Sequence, residues 1–137
     1  MIKNDVAIIE NNEMYEILLP NSKIKKLASG FGFIEGPVWD KEKDILYFSD
    51  IPNNKQLIWS EKHGLSLFRE PSNKSNGCFL NKDNILIVCE HATSRIVAIN
   101  RNREIEVLAS HYKGNELNSP NDVICSKDGT IIFTDPV

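Results

Sequence analysis

The chain has 137 residues, 41% of them apolar, with 16 basic and 19 acidic side chains for a net charge of −3. That is enough chain for one ordinary globular domain. The charge is spread without a basic stripe, which argues against a nucleic-acid or anionic-membrane partner. No apolar run approaches the roughly 18 residues of a spanning helix, and the polar start at residues 1–12 lacks the apolar core of a secretory signal, so the reading is a cytoplasmic protein.

In chain order, the first element predicted is a short helix over residues 11–18, with Asn11 or Asn12 as cap and Pro20 just beyond its end. Residues 23–29 follow as an isolated strand whose sequence resembles residues 104–110. The first complete unit then reads as four strands at 36–39, 45–49, 56–60 and 65–69, separated by Asp-, Asn- and Gly-containing turns. A second unit has strands at 77–80, 85–89, 95–100 and 105–109, and a third has strands at 122–125 and 130–134 around Ser126-Lys127-Asp128-Gly129. The second strand of each unit is apolar on consecutive residues, as expected for a strand buried on both faces.

The units are repeats. Glu35-Gly36-Pro37-Val38-Trp39-Asp40 returns as Ser75-Asn76-Gly77-Cys78-Phe79-Leu80 and as Pro120-Asn121-Asp122-Val123-Ile124-Cys125, at spacings of 40 and 45 residues. Their sequels end at Asp50, Glu90 and Asp135 with the same spacings. Short strands at this period mark propeller blades. The fold class predicted is all-β, with residues 1–137 as an incomplete propeller domain. Residues 23–29 are its orphan outer strand, 35–70 blade one, 75–110 blade two and 120–137 the start of blade three. Such units cannot bury their faces alone, so the remainder of a propeller or a second copy is expected to close the ring.

In this alignment Glu35, Ser75 and Pro120 are equivalent, as are Gly36, Asn76 and Asn121. First strands line the axis of a propeller, so their entry loops converge on the central channel. Glu35 and Asn121 carry hard oxygen donors of the kind Ca²⁺ or Mg²⁺ prefers, with Asn76 a third candidate. The alternatives are a solvated loop charge for Glu35 and turn residues for the two asparagines. Glu90, like Asp50 and Asp135, either solvates a strand end or reaches the channel as a substrate contact. Cys89-Glu90-His91 is not a nucleophile and base pair, because successive strand side chains point to opposite faces. Cys78, Cys89 and Cys125 lie in apolar runs without C-x-x-C spacing and are expected to be buried reduced thiols.

Four strings in order, Glu35-Gly36-Pro37-Val38-Trp39, Phe48-Ser49-Asp50, Asn118-Ser119-Pro120-Asn121-Asp122-Val123, and Asp128-Gly129 with Phe133-Thr134-Asp135-Pro136, resemble the gluconolactonase branch of the senescence-marker-protein (regucalcin-like) lactonase family. The resemblance implies the N-terminal half of a six-bladed propeller. It also implies hydrolysis of sugar lactones by one divalent metal, Ca²⁺ in the first place with Mg²⁺, Mn²⁺ or Zn²⁺ as alternatives. By the same resemblance Glu35 is a metal ligand, and Asn121 is a metal ligand or a substrate contact; Asn76 and Glu90 are further candidate substrate contacts from their positions in the repeat. The family's catalytic Asp and a further Asn ligand belong to later blades, beyond Val137, and Val137 itself departs from the family pattern. The rival reading is a non-enzymatic propeller piece that binds another protein.

Overall fold

A computed structural model describes residues 2–3, 8–19 and 21–137. Strands β1 (Ile2–Lys3) and β2 (Ile8–Ile9) pair and are followed by a 3₁₀ helix, Asn12–Glu16. The first four-stranded sheet comprises β3 (Ile34–Asp40), β4 (Ile45–Asp50), β5 (Lys55–Ser60) and β6 (Gly64–Arg69). The second comprises β7 (Ser75–Leu80), β8 (Leu86–Glu90), β9 (Arg95–Ile99) and β10 (Ile105–Ala109). Two hairpins end the chain: β11 (His111–Tyr112) with β12 (Asn115–Glu116), and β13 (Val123–Cys125) with β14 (Ile131–Phe133). Each large sheet is an antiparallel meander in chain order, the construction of a propeller blade. The chain is all-β, as its repeats imply.

The sheets pack against each other through β3 and β4 on one side and β7 on the other. Leu86 and Val88 of β8 join Tyr47, Cys78, Val97 and Ile99 in one core layer, while Ile87 and Cys89 turn the other way to meet Ile96, Ala98 and Val123. This is the period-two consequence of a strand with a neighbour on both sides. The outer strands β6 and β10 stay largely exposed. Cys78 and Cys89 are buried and unpaired, and burial pushes their thiols up to about 11 and about 12. Cys125 is only half-buried, because β13 and β14 have a sheet on one side alone.

Strands β3, β7 and β13 stand side by side. Here the structure corrects the repeat alignment by one residue. Val38 faces Tyr47, Phe79 faces Ile87 and Ile124 faces Ile132, so β3 matches β7 at a spacing of 41, not 40, while β4 still matches β8 at 40. The extra residue sits in the first hairpin turn. Asp40 Oδ1 accepts from Glu42 N and Lys43 N, and Asn81 Oδ1 accepts from Asp83 N and Ile85 N, so the two turns share one cap but differ by one residue in length. The equivalent residues are therefore Glu35, Asn76 and Asn121, followed by Gly36, Gly77 and Asp122.

A bulge recurs at this level. Gly36-Pro37 of β3 and Asn76-Gly77 of β7 each carry one residue more than the facing strand. In the third copy Asn121 N donates to Thr134 O while Thr134 N donates to Asp122 O, so two residues again oppose one. Bulges re-aim side chains and bend a strand.

Two N-terminal expectations fail. The helix shrinks to Asn12–Glu16, capped by Asn11 Oδ1 accepting from Glu13 N at 3.0 Å, and Pro20 lies outside the described residues. Ile17 and Leu19 remain exposed, so no apolar face drives a longer helix. Residues 23–29 form no strand. No β-edge lies beside them among the described residues; instead Leu27, Ala28 and Phe31 line an apolar groove of about 290 Å³ with Leu46, Phe48 and Trp59. The β11–β12 hairpin was not predicted; its Lys113-Gly114 turn, both residues at positive φ, is the two-residue type that suits strand twist.

Glycine is required where the sheets touch. A Cβ on Gly36, which has φ 60°, would lie 2.1 Å from Asn76 O, and one on Gly77 would lie 2.5 Å from Asp122 Oδ1. Gly64 also has positive φ but open space around it. We expect Gly77→Ala to lower stability in urea by about 1–3 kcal/mol through overpacking, and Gly36→Ala by more. Gly64→Ala should cost no more than about 1–2 kcal/mol, the left-handed backbone penalty alone; equal losses at Gly36 and Gly64 would refute the packing argument.

Candidate functional site

The bulges set the three equivalent side chains at the mouth of one cleft of about 550 Å³ between β3, β7 and β13. Glu35, Asn76 and Asn121 line it, with Gly36, Gly77 and Asp122 beneath and Phe33, Pro37, Phe79 and Ile124 among its apolar walls. Each polar side chain comes from a different sheet, and inter-sheet bonds hold the frame. Gly77 N donates to Asn121 O at 2.8 Å. Ser49 Oγ donates to Asn76 O at 2.9 Å.

The three differ in freedom. Glu35 is exposed, and its one described contact is a long 3.4 Å bond accepted from Gly36 N. Asn121 is exposed with its backbone pinned on both sides. Asn76 is 6% exposed, and its Nδ2 stands 3.0 Å from His91 Nε2. Burial lowers the His91 pKa, which favours the neutral ring. Asp122 adds a second carboxylate, with Oδ1 accepting from Val123 N at 2.9 Å. Asp122 and His91 were missed from sequence. Asp122 could have been found once the alignment slipped by one residue, whereas nothing in the sequence pairs His91 with Asn76. Among the described residues no three His, Cys, Asp or Glu side chains cluster closely enough to hold a metal ion. The cleft offers hard oxygen donors instead, from one exposed carboxylate, a second tethered one and two amides.

Glu90 is not part of the cleft. Its carboxylate is fully buried and accepts from Arg69 Nη1 at 2.6 Å, Arg95 Nε at 2.6 Å, Thr93 Oγ1 at 2.6 Å and Asn73 Nδ2 at 3.1 Å. Oε2 takes three of these donors and Oε1 one, and the carboxylate lines no part of the cleft, so simple strand-end solvation does not describe it. Asp50 and Asp135 play the same inward role. Asp50 accepts from Gly32 N, Phe33 N and Asn53 Nδ2, and Asp135 from Asn118 N and Ser119 N. Each strand-end carboxylate thus grips the segment that leads into the first strand of its own unit.

Residues 33–137 match the model of the SMP-30/Gluconolactonase/LRE-like region. The chain belongs to this family. It is 35% identical to the gluconolactonase of Zymomonas mobilis over 88% of its own length, but it spans only 38% of that relative. A gluconolactonase from Xanthomonas campestris superposes with a TM-score of 0.74 at 32% identity, over 77% of this chain and 36% of that one. Another crystal structure, assigned to the gluconolactonases, gives 0.77 at 39% identity, over 82% and 39%. Virginiamycin B lyase from Staphylococcus aureus, at 15% identity and a TM-score of 0.60 over 74% of this chain and 34% of its own, shares the fold alone.

Burial opposes ionisation of Glu90, but the bonds from Thr93, Arg69 and Arg95 outweigh it and hold the pKa below its ordinary 4.5. A carboxyl depressed in the folded state contributes stability that is present above its unfolded pKa and lost as pH falls through the folded value. We therefore expect Glu90→Gln to flatten the loss of stability below about pH 4.5, followed by urea unfolding across pH. Glu90→Ala should cost about 3–5 kcal/mol at pH 7, because it strands Arg69 and Arg95.

Proposed function

We propose that the cleft is part of the active site of a sugar-lactone hydrolase of the gluconolactonase type. The observation that carries this is the convergence of Glu35, Asn76 and Asn121, one from each of three successive units, on a single cleft in a chain of that family. Hydrolysis adds water across the ring ester bond, so the site must stabilise an anionic carbonyl oxygen and accept a proton. Oxygen donors alone cannot stabilise an oxyanion, which favours a cation between them and the substrate.

We assign Glu35 and Asn121 as ligands of one divalent ion, Ca²⁺ before Mg²⁺, Mn²⁺ or Zn²⁺, because the donors are a carboxylate and an amide oxygen. Two ligands are fewer than the six to eight oxygens calcium takes, and further blades of a longer chain would supply the others. When bound, such an ion polarises the lactone carbonyl and lowers the pKa of the attacking water. Glu35 brings the compensating charge, and its exposure leaves both oxygens free to turn toward the cleft. Asn121, with its backbone fixed by Gly77 and Thr134, presents its amide to the ion or to a sugar hydroxyl. Asn76 contacts sugar hydroxyls, while Phe33, Pro37 and Phe79 pack against the C–H face of the ring. A carboxylate from later blades would accept the proton.

A second set of surfaces supports the propeller reading. Ile34 and Trp39 on one flank, and Ile124 and Ile132 on the other, are about half exposed. We infer that they are covered by further blades of a six-bladed ring or by a second copy. A protein-binding role without catalysis would use the same flanks and leave the cleft empty of metal.

In a form that opens glucono-1,5-lactone, Glu35→Gln is expected to lower Ca²⁺ affinity and turnover together, each on the order of 10–100-fold. Chelation should abolish turnover, and Ca²⁺ should restore it. Calorimetric Ca²⁺ binding that Glu35→Gln leaves unchanged would overturn the ligand assignment.

A further inference from the structure

Asn76 occupies the position equivalent to Glu35 and Asn121 but differs from both in being almost fully buried, with one end of its amide against a ring nitrogen. An amide can present either its oxygen or its NH₂ to a cleft, and the two faces attract opposite ligands. Which one Asn76 presents depends on the tautomer of His91, whose Nε2 stands 3.0 Å from the amide. A neutral imidazole with its proton on Nδ1 offers a lone pair at Nε2 and accepts from Asn76 Nδ2, which leaves Oδ1 directed away from His91. Asn76 O is already engaged by Ser49 Oγ, so the backbone cannot rotate to relieve the choice. His91 is itself held, since its backbone N donates to Lys74 O.

We propose that His91 is a positioning residue that locks the Asn76 amide with its carbonyl oxygen toward the cleft, so that all three equivalent positions present oxygen. This rests on the functional reading above for its consequence but not for its geometry. With oxygen at every position the cleft discriminates in favour of cations and hydroxyl donors and against anions. With Asn76 reversed, an NH₂ group would stand beside Glu35 and Asn121 and oppose a cation. Lys or Arg at position 91 would enforce that reversal, because both only donate.

The test compares His91→Gln, whose side-chain oxygen can accept from Asn76 Nδ2, with His91→Leu, which can neither donate nor accept. Circular dichroism and urea unfolding would establish that each variant folds. In ¹⁵N-edited NMR of the full 137-residue chain, the wild type should show the Nδ1–H tautomer of His91. It should also show an Asn76 side-chain amide resonance shifted by the ring. His91→Leu should move that resonance to the range of a solvated amide, and His91→Gln should restore a bonded one. In parallel, Ca²⁺ alone is titrated calorimetrically. His91→Leu is expected to weaken binding, because a reversed amide sets NH₂ beside the ion that Glu35 and Asn121 hold, with His91→Gln close to wild type. An Nε2–H tautomer in the wild type, or an Asn76 resonance indifferent to both substitutions, overturns the proposal. So does Ca²⁺ affinity that falls equally in Leu and Gln variants, since a purely structural role would not distinguish them. If wild type takes up no Ca²⁺, the NMR arm alone decides the role of His91.

Discussion

The closeness with which the inner strands approach one another controls the rest of this molecule. Between Gly36 and Asn76, and again between Gly77 and Asp122, the backbones meet at distances that leave no space for a Cβ. That contact brings side chains from three separate units within one cleft, and the bulge beside each contact turns them toward it. Any separation of the strands would widen the cleft and break the Gly77 to Asn121 bond together. The apolar layers around Val88 and Cys89 reach the same strands through Cys78 and Val123, but apolar packing alone does not set so short a backbone spacing. They supply stability, whereas the glycines supply registration.

Polar groups hold the same frame from the strand ends. Asp50 and Asp135 accept backbone N–H groups of the segments entering β3 and β13, so each closes the loop that precedes a cleft residue. In the second unit the acceptor is Glu90, one methylene longer, and it is met by arginines from two strands. Arg69 comes from the first sheet and Arg95 from the second, so the carboxylate joins the sheets as well as closing a loop. A buried charge with two cationic partners is costly to assemble, and a hydrophobic replacement of the whole group could be as stable. Its directional bonds do what apolar packing does not, since they fix Asn73 just before the strand that bears Asn76 and Thr93 just after the strand that leads to His91.

Most of the architecture was legible in the sequence because it is periodic. Two meanders and a third hairpin follow from the spacing of apolar strands and turn residues, and so does the double-sided burial of β8. What the sequence concealed was a compensating slip. One residue more in the turn after Asp40 offsets a strand entered one residue later, so the overall spacing looked constant while β3 had moved. The error hid the equivalence of Glu35, Asn76 and Asn121, although each had been picked for its chemistry. Glu90 was misjudged for a different reason. An acidic residue at a strand end looks solvated in one dimension, and its four donors come from residues 69, 73, 93 and 95, which only the fold assembles. Residues 23–29 resemble 104–110 but form no strand here. A strand needs a neighbour's edge, and Leu27 instead finds an apolar groove.

These two errors share a physical origin that bears on how the cleft came to be asymmetric. Equivalent positions in repeats have the same backbone but not the same surroundings. The first carries an exposed carboxylate with little to hold it, the second a buried amide tied to an imidazole, and the third an exposed amide on a pinned backbone. A cation entering such a cleft would meet one mobile carboxylate, a second tethered at Asp122, and two amides, of which that of Asn76 is held by its bond to His91. Had all three been carboxylates, their mutual repulsion would raise their pKa values and neutralise part of the site. Two neutral amides beside Glu35, with Asp122 tethered to Val123 N, limit that cost.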